Sequence, residues 1–159
     1  MNHLATSKED ILAASSYLIK ENGLAAVSIR AVASRCSVSA GTIYNYYESK
    51  ADLLSDTIES IWLEIFFHPE DEQIFHDVES CISWIYERLE YGNRQFPGFF
   101  SLHSFGFMRD EKTSGKKRMM KTWGHILNGL CEVLENDPKV RADVFDQEFT
   151  EKKFADILF

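Results

Sequence analysis

Residues 38–50 read Val38-Ser39-Ala40-Gly41-Thr42-Ile43-Tyr44-Asn45-Tyr46-Tyr47-Glu48-Ser49-Lys50, directly after a capped apolar run that begins at Ser28. Ser28 predicts the start of one short helix and Ser39 the start of a second, because both are residues that favour the N-cap position. The turn between the two helices is Cys36-Ser37-Val38. Two capped helices joined by a turn of about three to four residues have the spacing of a helix-turn-helix.

The second helix of this motif carries side chains suited to contact with DNA. Val38 and Ile43 are expected to face inward, while small residues at 40 and 41 let the backbone approach base edges in a major groove. Thr42 and Asn45 can hydrogen-bond to bases, and tyrosine hydroxyls can reach phosphates or bases. Positions 44, 46 and 47 cannot all face inward at about 100° per residue, so at least one aromatic ring is predicted to be exposed.

Further helices are predicted on both sides of this motif. A capping box formed by Thr6 and Glu9 opens a helix over about 7–22, which Asn22-Gly23 ends. Ser49 and Asp52 open a fourth helix that continues to about residue 66. Lys50 lies in the first turn of that helix, where a cation is unfavourable for the helix dipole but well placed for a phosphate.

Helical periodicity continues through the rest of the chain. Pro69 and Pro97-Gly98 bound a helix over about 73–94, residues 99–108 form one short helix, and a long helix covers about 116–135. The apolar positions after Pro138 predict one more helix. The class is therefore all-α: a three-helix head with a helix-turn-helix (1–50) precedes an antiparallel helical body (51–159).

The charge is distributed unevenly between these two parts. The 159 residues carry a formal charge of -8, but residues 1–50 hold five Lys and Arg against four Asp and Glu. The acidity therefore lies in the body, which suits a DNA-binding head attached to an acidic domain. The three cysteines have no metal-type spacing, and no apolar segment is long enough for a signal core or a membrane span. We therefore expect a cytoplasmic protein.

From about Thr6 to Leu54 the chain resembles the DNA-binding domain of the tetracycline-repressor (TetR) family. The resemblance rests on Ile11-Leu12-Ala13-Ala14, on Ser28-Ile29-Arg30-Ala31-Val32-Ala33, and above all on the run from Val38 to Leu54. It implies that Ser28 and Arg30 touch the DNA backbone, that residues 40–42, 44 and 45 approach bases, and that Tyr47 is a core aromatic. The complete set of expected DNA contacts is Ser28, Arg30, Ser39, Ala40, Gly41, Thr42, Tyr44, Asn45, Tyr46 and Lys50.

The family resemblance also implies a homodimer built on the last two helices and an effector pocket among the middle helices. Only some 24 residues follow the 116–135 helix. Either that helix and the 140–159 segment form a compact dimer interface, which we favour, or the chain is shortened.

The body is rich in aromatic residues and methionine, which suits a small hydrophobic effector or an ordinary core. For any single one of these residues composition favours the core. His68 and His76 stand eight residues apart, so we expect no metal, and the sequence indicates no cofactor. The expected effector contacts are Trp62, Phe66, Trp84, Phe99, Phe100, His103, Phe107, Met120 and Trp123.

The functional expectation is a repressor that binds double-stranded operator DNA and is released by an effector. The sequence has no phosphate-binding loop, nucleophile elbow or catalytic pair, so we expect no enzyme. The alternative is a DNA-binding regulator or adaptor that a protein partner controls. Titration with hydrophobic compounds separates the two.

Overall fold

The computed structural model describes residues 6–67, 76–100 and 114–158, with the backbone alone for 114–122. Within these ranges the chain forms seven α-helices, one 3-10 turn (Leu24–Ala26) and no strand, which confirms the all-α class. The helices are α1 (Lys8–Asn22), α2 (Ile29–Arg35), α3 (Ala40–Tyr44), α4 (Lys50–Phe66), α5 (Val78–Gln95), α6 (Ser114–Asn136) and α7 (Glu151–Leu158).

Helix α1 begins one residue later than the sequence pattern predicted. Its capping box is formed by Ser7 and Asp10, not by Thr6 and Glu9: the Asp10 N–H donates to Ser7 Oγ (3.0 Å) and the Ser7 N–H donates to Asp10 Oδ2 (2.9 Å). The Ser7 hydroxyl, which donates to Asp10 Oδ2 (2.8 Å), and the Ser7 N–H together lower the pKa of Asp10. Thr6 is buried before the helix, and its carbonyl accepts a hydrogen bond from the Tyr46 hydroxyl.

Helix α4 connects the head to the body. It packs against α1 on the head side and against α5 and α6 in the body. Two ion pairs join it to α1, with Lys8 Nζ 2.7 Å from Asp56 Oδ2 and Lys20 Nζ 2.9 Å from Glu64 Oε1. The position of the head is thus fixed largely by one long helix that shares its core with both parts.

Helix α5 starts later than the predicted residue 73. Of the predicted segment, residues 73–75 lie outside the described ranges, while His76 and Asp77 form a turn and Asp77 caps the helix by accepting the Ser80 N–H (2.8 Å). Hydrogen bonds from Ser80, and one from Lys139, lower the pKa of Asp77 to about 2. The carboxylate cap therefore sets the start of α5 in spite of the apolar period.

Two further predictions concern the second half of the chain. The long helix over 116–135 is confirmed as α6, which is slightly longer at each end. The short helix over 99–108 can be followed only through Phe99 and Phe100, which are helical, since the rest lies outside the described residues.

The prediction of a continuous helix after Pro138 is wrong for residues 139–150, which form turns, and only α7 is helical. Asp146 Oδ1 accepts the N–H groups of Glu148 and Phe149, both at 2.7 Å. Such local side-chain bonds offer the backbone an alternative to the helix. The rings of Phe145, Phe149 and Phe154 nevertheless pack together, with centroids 5.9 to 6.4 Å apart, so the apolar pattern is satisfied without a helix.

Replacement of Asp137 by Ala is expected to destabilise the fold by about 1–3 kcal/mol, the usual cost of unpaired buried donors. Asp137 is buried after the end of α6, where Oδ2 accepts the Val78 N–H and Oδ1 the Lys139 N–H, both at 2.9 Å. Urea unfolding measures the change. The control is Asp143→Ala, which removes an exposed carboxylate paired with Arg141 and should have a much smaller effect. Equal losses in the two variants would contradict the role of Asp137.

Candidate nucleic-acid interface

Helices α2 and α3 form the helix-turn-helix that the sequence predicts. Ser28 Oγ accepts the Ala31 N–H (3.1 Å) at the start of α2, and Ser39 Oγ accepts the Thr42 N–H (3.2 Å) at the start of α3. The turn contains Ser37 in the left-handed region (φ 57°), which reverses the chain between the two helices. Both predicted caps and the position of the turn are confirmed.

The inward side of α3 is set by apolar packing. Ile43 is fully buried, and Val38 is half-buried against the same core, as predicted. Tyr47 is buried at 4 % exposure, which confirms its role as a core aromatic. Burial, together with the nearby carboxylates of Asp56 and Glu9, raises the pKa of Tyr47 well above its usual value, so the phenol stays neutral. These contacts fix which side of α3 faces away from the protein.

The outward side of α3 is formed by Gly41, Tyr44 and Asn45, which are exposed, and by half-buried Ala40. Tyr44 is 56 % exposed, so the predicted exposed ring is present on this helix. A Cβ atom added to Gly41 would have only Ser39 Oγ within 4 Å, at 3.6 Å. The fold itself therefore does not require a glycine here, and the bare backbone is available for a close approach from outside.

Two hydroxyl groups of the expected site are engaged within the protein. Thr42 Oγ1 lies 3.0 Å from Ser39 Oγ, so these hydroxyls pair with each other. The half-buried Tyr46 donates its hydroxyl proton to the Thr6 carbonyl (2.7 Å), which joins the end of α3 to the start of α1. Sequence reasoning missed this structural role, because no local pattern links positions 6 and 46.

The cations of the head fall into two groups. Lys8 and Lys20 pair with Asp56 and Glu64, and the Arg35 guanidinium stacks 3.4 Å from the Tyr17 ring centroid. Arg30 in the first turn of α2 and Lys50 at the start of α4 are exposed, and neither forms an ion pair within the described part of the chain. These two side chains remain available for an external anion.

Six of the nine expected effector contacts come together in the body as one aromatic cluster. The Trp62 ring centroid lies 5.0 Å from that of Phe66, 5.8 Å from that of Phe100 and 5.7 Å from that of Trp123. His103, Phe107 and the side chain of Met120 lie outside the described residues. The six described members, which come from α4, α5, the helical residues 99–100 and α6, are Trp62, Phe66, Trp84, Phe99, Phe100 and Trp123.

This aromatic cluster is tightly packed. A Cβ atom added to Gly92 would lie 2.8 Å from side-chain atoms of both Ile65 and Phe100, so these side chains would have to shift to admit any larger residue at position 92. Adjacent ring centroids at 5.0 to 6.3 Å are in direct contact. The geometry therefore matches the alternative that the composition favoured, in which these residues fill a core.

Within the described residues, no group of three or more His, Cys, Asp or Glu side chains is arranged to hold a metal ion. None of the helices in the same ranges is long and apolar enough to cross a membrane.

Part of the chain is similar to a known protein family. Residues 11–57 match the profile described as Bacterial regulatory proteins, tetR family. The matched segment runs from α1 into α4 and contains the whole helix-turn-helix. Comparisons with curated proteins and with solved structures gave no match.

Proposed function

We propose that the chain, whose residues 11–57 match the tetR-family model, is a DNA-binding transcriptional regulator, and that it acts as a homodimeric repressor released from its operator by a small hydrophobic effector. In this proposal two copies of α3 enter successive major grooves about 34 Å apart. Effector binding stabilises a different spacing of the heads and so lowers operator affinity.

The observation that carries the proposal is the exposed outward side of α3, accompanied by the exposed cations Arg30 of α2 and Lys50 of α4; we call these residues together the DNA face. It combines an exposed helix side with two cations that form no ion pair within the described residues, in a chain whose net charge is -8. Phosphates attract such cations, and small side chains allow a close approach to bases. We assign residues 1–50 to DNA binding and residues 51–159 to dimerisation and effector binding.

Within the DNA face each residue has a proposed role. Ser28 and Arg30 contact the DNA backbone, and Lys50 holds a phosphate. A phosphate contact from Tyr46 would have to replace or share its hydrogen bond to Thr6. The residues that we propose to lie against the bases are Ser39, Ala40, Gly41, Thr42, Tyr44 and Asn45.

The dimer is proposed to form through α6 and α7. Three apolar residues between α6 and the end of α7 are exposed, with Ile157 73 %, Val144 45 % and Phe149 37 % accessible. Helix α7 packs on α6, and α6 packs on α4, so a dimer contact there is connected to the head through one continuous core. A hydrophobic effector is proposed to enter beside the aromatic cluster, whose close packing requires some rings to move when it binds.

Release of operator DNA by hydrophobic compounds tests the effector role. Fluorescence anisotropy follows a labelled duplex, taken from the region upstream of the gene, while compounds are titrated. We expect at least one compound to lower affinity by about 10-fold or more, within the usual range of allosteric coupling. If every compound is without effect and a protein partner releases the DNA instead, the chain is a partner-controlled regulator.

Lys50→Ala is expected to weaken DNA binding to all sequences alike. If Lys50 neutralises one phosphate, the slope of log affinity against log salt should become shallower by about one unit. Arg94→Ala is the matched control, since it removes one exposed cation from α5 in the body. A salt slope that changes equally in both variants would show that Lys50 has no specific phosphate contact.

A further inference from the structure

We propose that the base pairs contacted by α3 are predominantly A·T and that Asn45 recognises an adenine among them. The inference rests on the proposed function, because it takes α3 to be the helix that enters the major groove. It adds the chemical identity of the DNA partner, which the family assignment leaves open.

The first argument is the set of side chains that α3 and its caps contain. Guanine is most often recognised by Arg or Lys, cytosine by Asp or Glu, and adenine by Asn or Gln, whereas apolar groups contact the thymine methyl. Residues 39–45 are Ser39-Ala40-Gly41-Thr42-Ile43-Tyr44-Asn45, with no Arg, Lys, Asp or Glu. The segment therefore lacks the usual partners of G·C pairs and contains one usual partner of adenine.

The second argument is which of these residues face outward. Ala40, Gly41, Tyr44 and Asn45 occupy an arc of about 140° at 100° per residue, opposite the buried Ile43. Ala40 and Gly41 present only a small apolar surface, which suits the methyl group of thymine. Tyr44 adds a large, exposed ring next to them.

Asn45 is the outward residue able to make a specific pair of hydrogen bonds. It is exposed at the C-cap of α3, and its amide has no hydrogen bond within the described part of the chain. By contrast, the hydroxyls of Ser39 and Thr42 pair with each other. A hydroxyl group can in any case hydrogen-bond to A·T and G·C pairs alike, so it does not discriminate between them. Asn45 is therefore the residue of α3 that we expect to contribute most to discrimination between base pairs.

Arg30 and Lys50, which form no ion pair in the described part of the chain, lie outside this helix. Arg30 belongs to α2 and Lys50 to α4, so a guanine that either contacts would lie beside the base pairs under α3. The expected half-site therefore has an A·T core, with G·C pairs allowed at its edges.

The test is selection of binding sites from a random duplex library by the full-length protein, followed by affinity measurements on the selected site. We expect an A·T core in each half-site. Changing one core A·T pair to G·C, or one core adenine to 7-deazaadenine, should lower affinity by about 5- to 150-fold at the position read by Asn45. Asn45→Ala should remove discrimination at that position alone, and Asn45→Asp should shift it towards cytosine.

Asn93→Ala, an exposed amide on α5, is the matched control and should leave the selected sequence unchanged. Enrichment of G·C pairs throughout each half-site, or an unchanged preference in Asn45→Ala, would overturn this inference while leaving the proposed function intact. Failure to enrich any sequence would instead overturn the proposed function.

Discussion

Gly41→Glu is expected to lower operator affinity by at least about 100-fold while leaving the protein folded. The new carboxylate would stand on the outward side of α3, where it would face DNA phosphates, and like charges brought together at an interface cost several kcal/mol. A loss of about 2.8 kcal/mol corresponds to that factor of 100. Anisotropy titration gives the affinity, and thermal unfolding shows whether the fold is retained.

The folded state should tolerate this change because the structure leaves room for it. A Cβ atom at position 41 meets only Ser39 Oγ, at an ordinary contact distance of 3.6 Å. Glutamate is also a better helix former than glycine. Gly41→Ala should fold equally well and bind DNA with an intermediate loss, which would show the effect of bulk without charge.

Ser83→Glu is the matched charge control, because it adds one carboxylate at an exposed position of α5. It should weaken binding only slightly, through the small change in net charge. Wild-type affinity in Gly41→Glu would show that α3 does not contact the DNA. A large fall in its melting temperature would show that Gly41 is needed for folding and would contradict the open space beside it.

Trp62→Ala is expected to destabilise the protein by about 3–5 kcal/mol, the usual range for removal of a buried aromatic side chain. Trp62 is 9 % exposed, and its ring contacts those of Phe66, Phe99 and Trp123, among others. No neighbouring ring can fill the space without leaving its own contacts. Since stabilities of domains are commonly about 5–15 kcal/mol, this single change should remove much of the total.

Urea unfolding of Trp62→Ala and Trp62→Phe measures the packing of the aromatic cluster. The phenylalanine variant keeps most of the ring contacts and should lose much less stability than the alanine variant. A loss of less than about 1 kcal/mol in Trp62→Ala would mean that the rings surround open space rather than one another. The cluster would then be a preformed effector cavity, in contradiction to the packing described above.

Sequence reasoning succeeded where a local signal determines the structure. The caps at Ser28, Ser39 and Ser49 each follow from a side chain that bonds to a backbone N–H three residues later. The inward position of Ile43 follows from helical periodicity. For the same reason, the sequence predicted that at least one ring among positions 44, 46 and 47 is exposed. The structure shows that this ring is Tyr44.

Where two local signals competed, the sequence could not determine the outcome. Thr6 and Ser7 each stand three residues before an acid, so the local pattern suits either cap; in the structure Ser7 caps the helix and the Thr6 carbonyl binds the distant Tyr46 hydroxyl. After Pro138 the apolar spacing suited a helix, yet Asp146 bonds to local N–H groups and the three phenylalanine rings pack around turns.

The sequence also could not predict which charged side chains form ion pairs. Lys8 and Lys20 pair with acids of α4, 44 or more residues away, whereas Arg30 and Lys50 do not pair within the described residues. Nothing in their local sequence distinguishes these lysines from Lys50. Only the packing of α4 against α1 brings the partner carboxylates into reach.

The most direct test of DNA recognition by a dimer is a gel-shift titration of the upstream duplex, with excess non-specific competitor and sedimentation of the complex. We predict a saturable shift that resists competitor, weakens steeply with salt and contains two chains per duplex. A shift that competitor abolishes at the same concentration as for unrelated DNA, or a complex with one chain, would contradict the account.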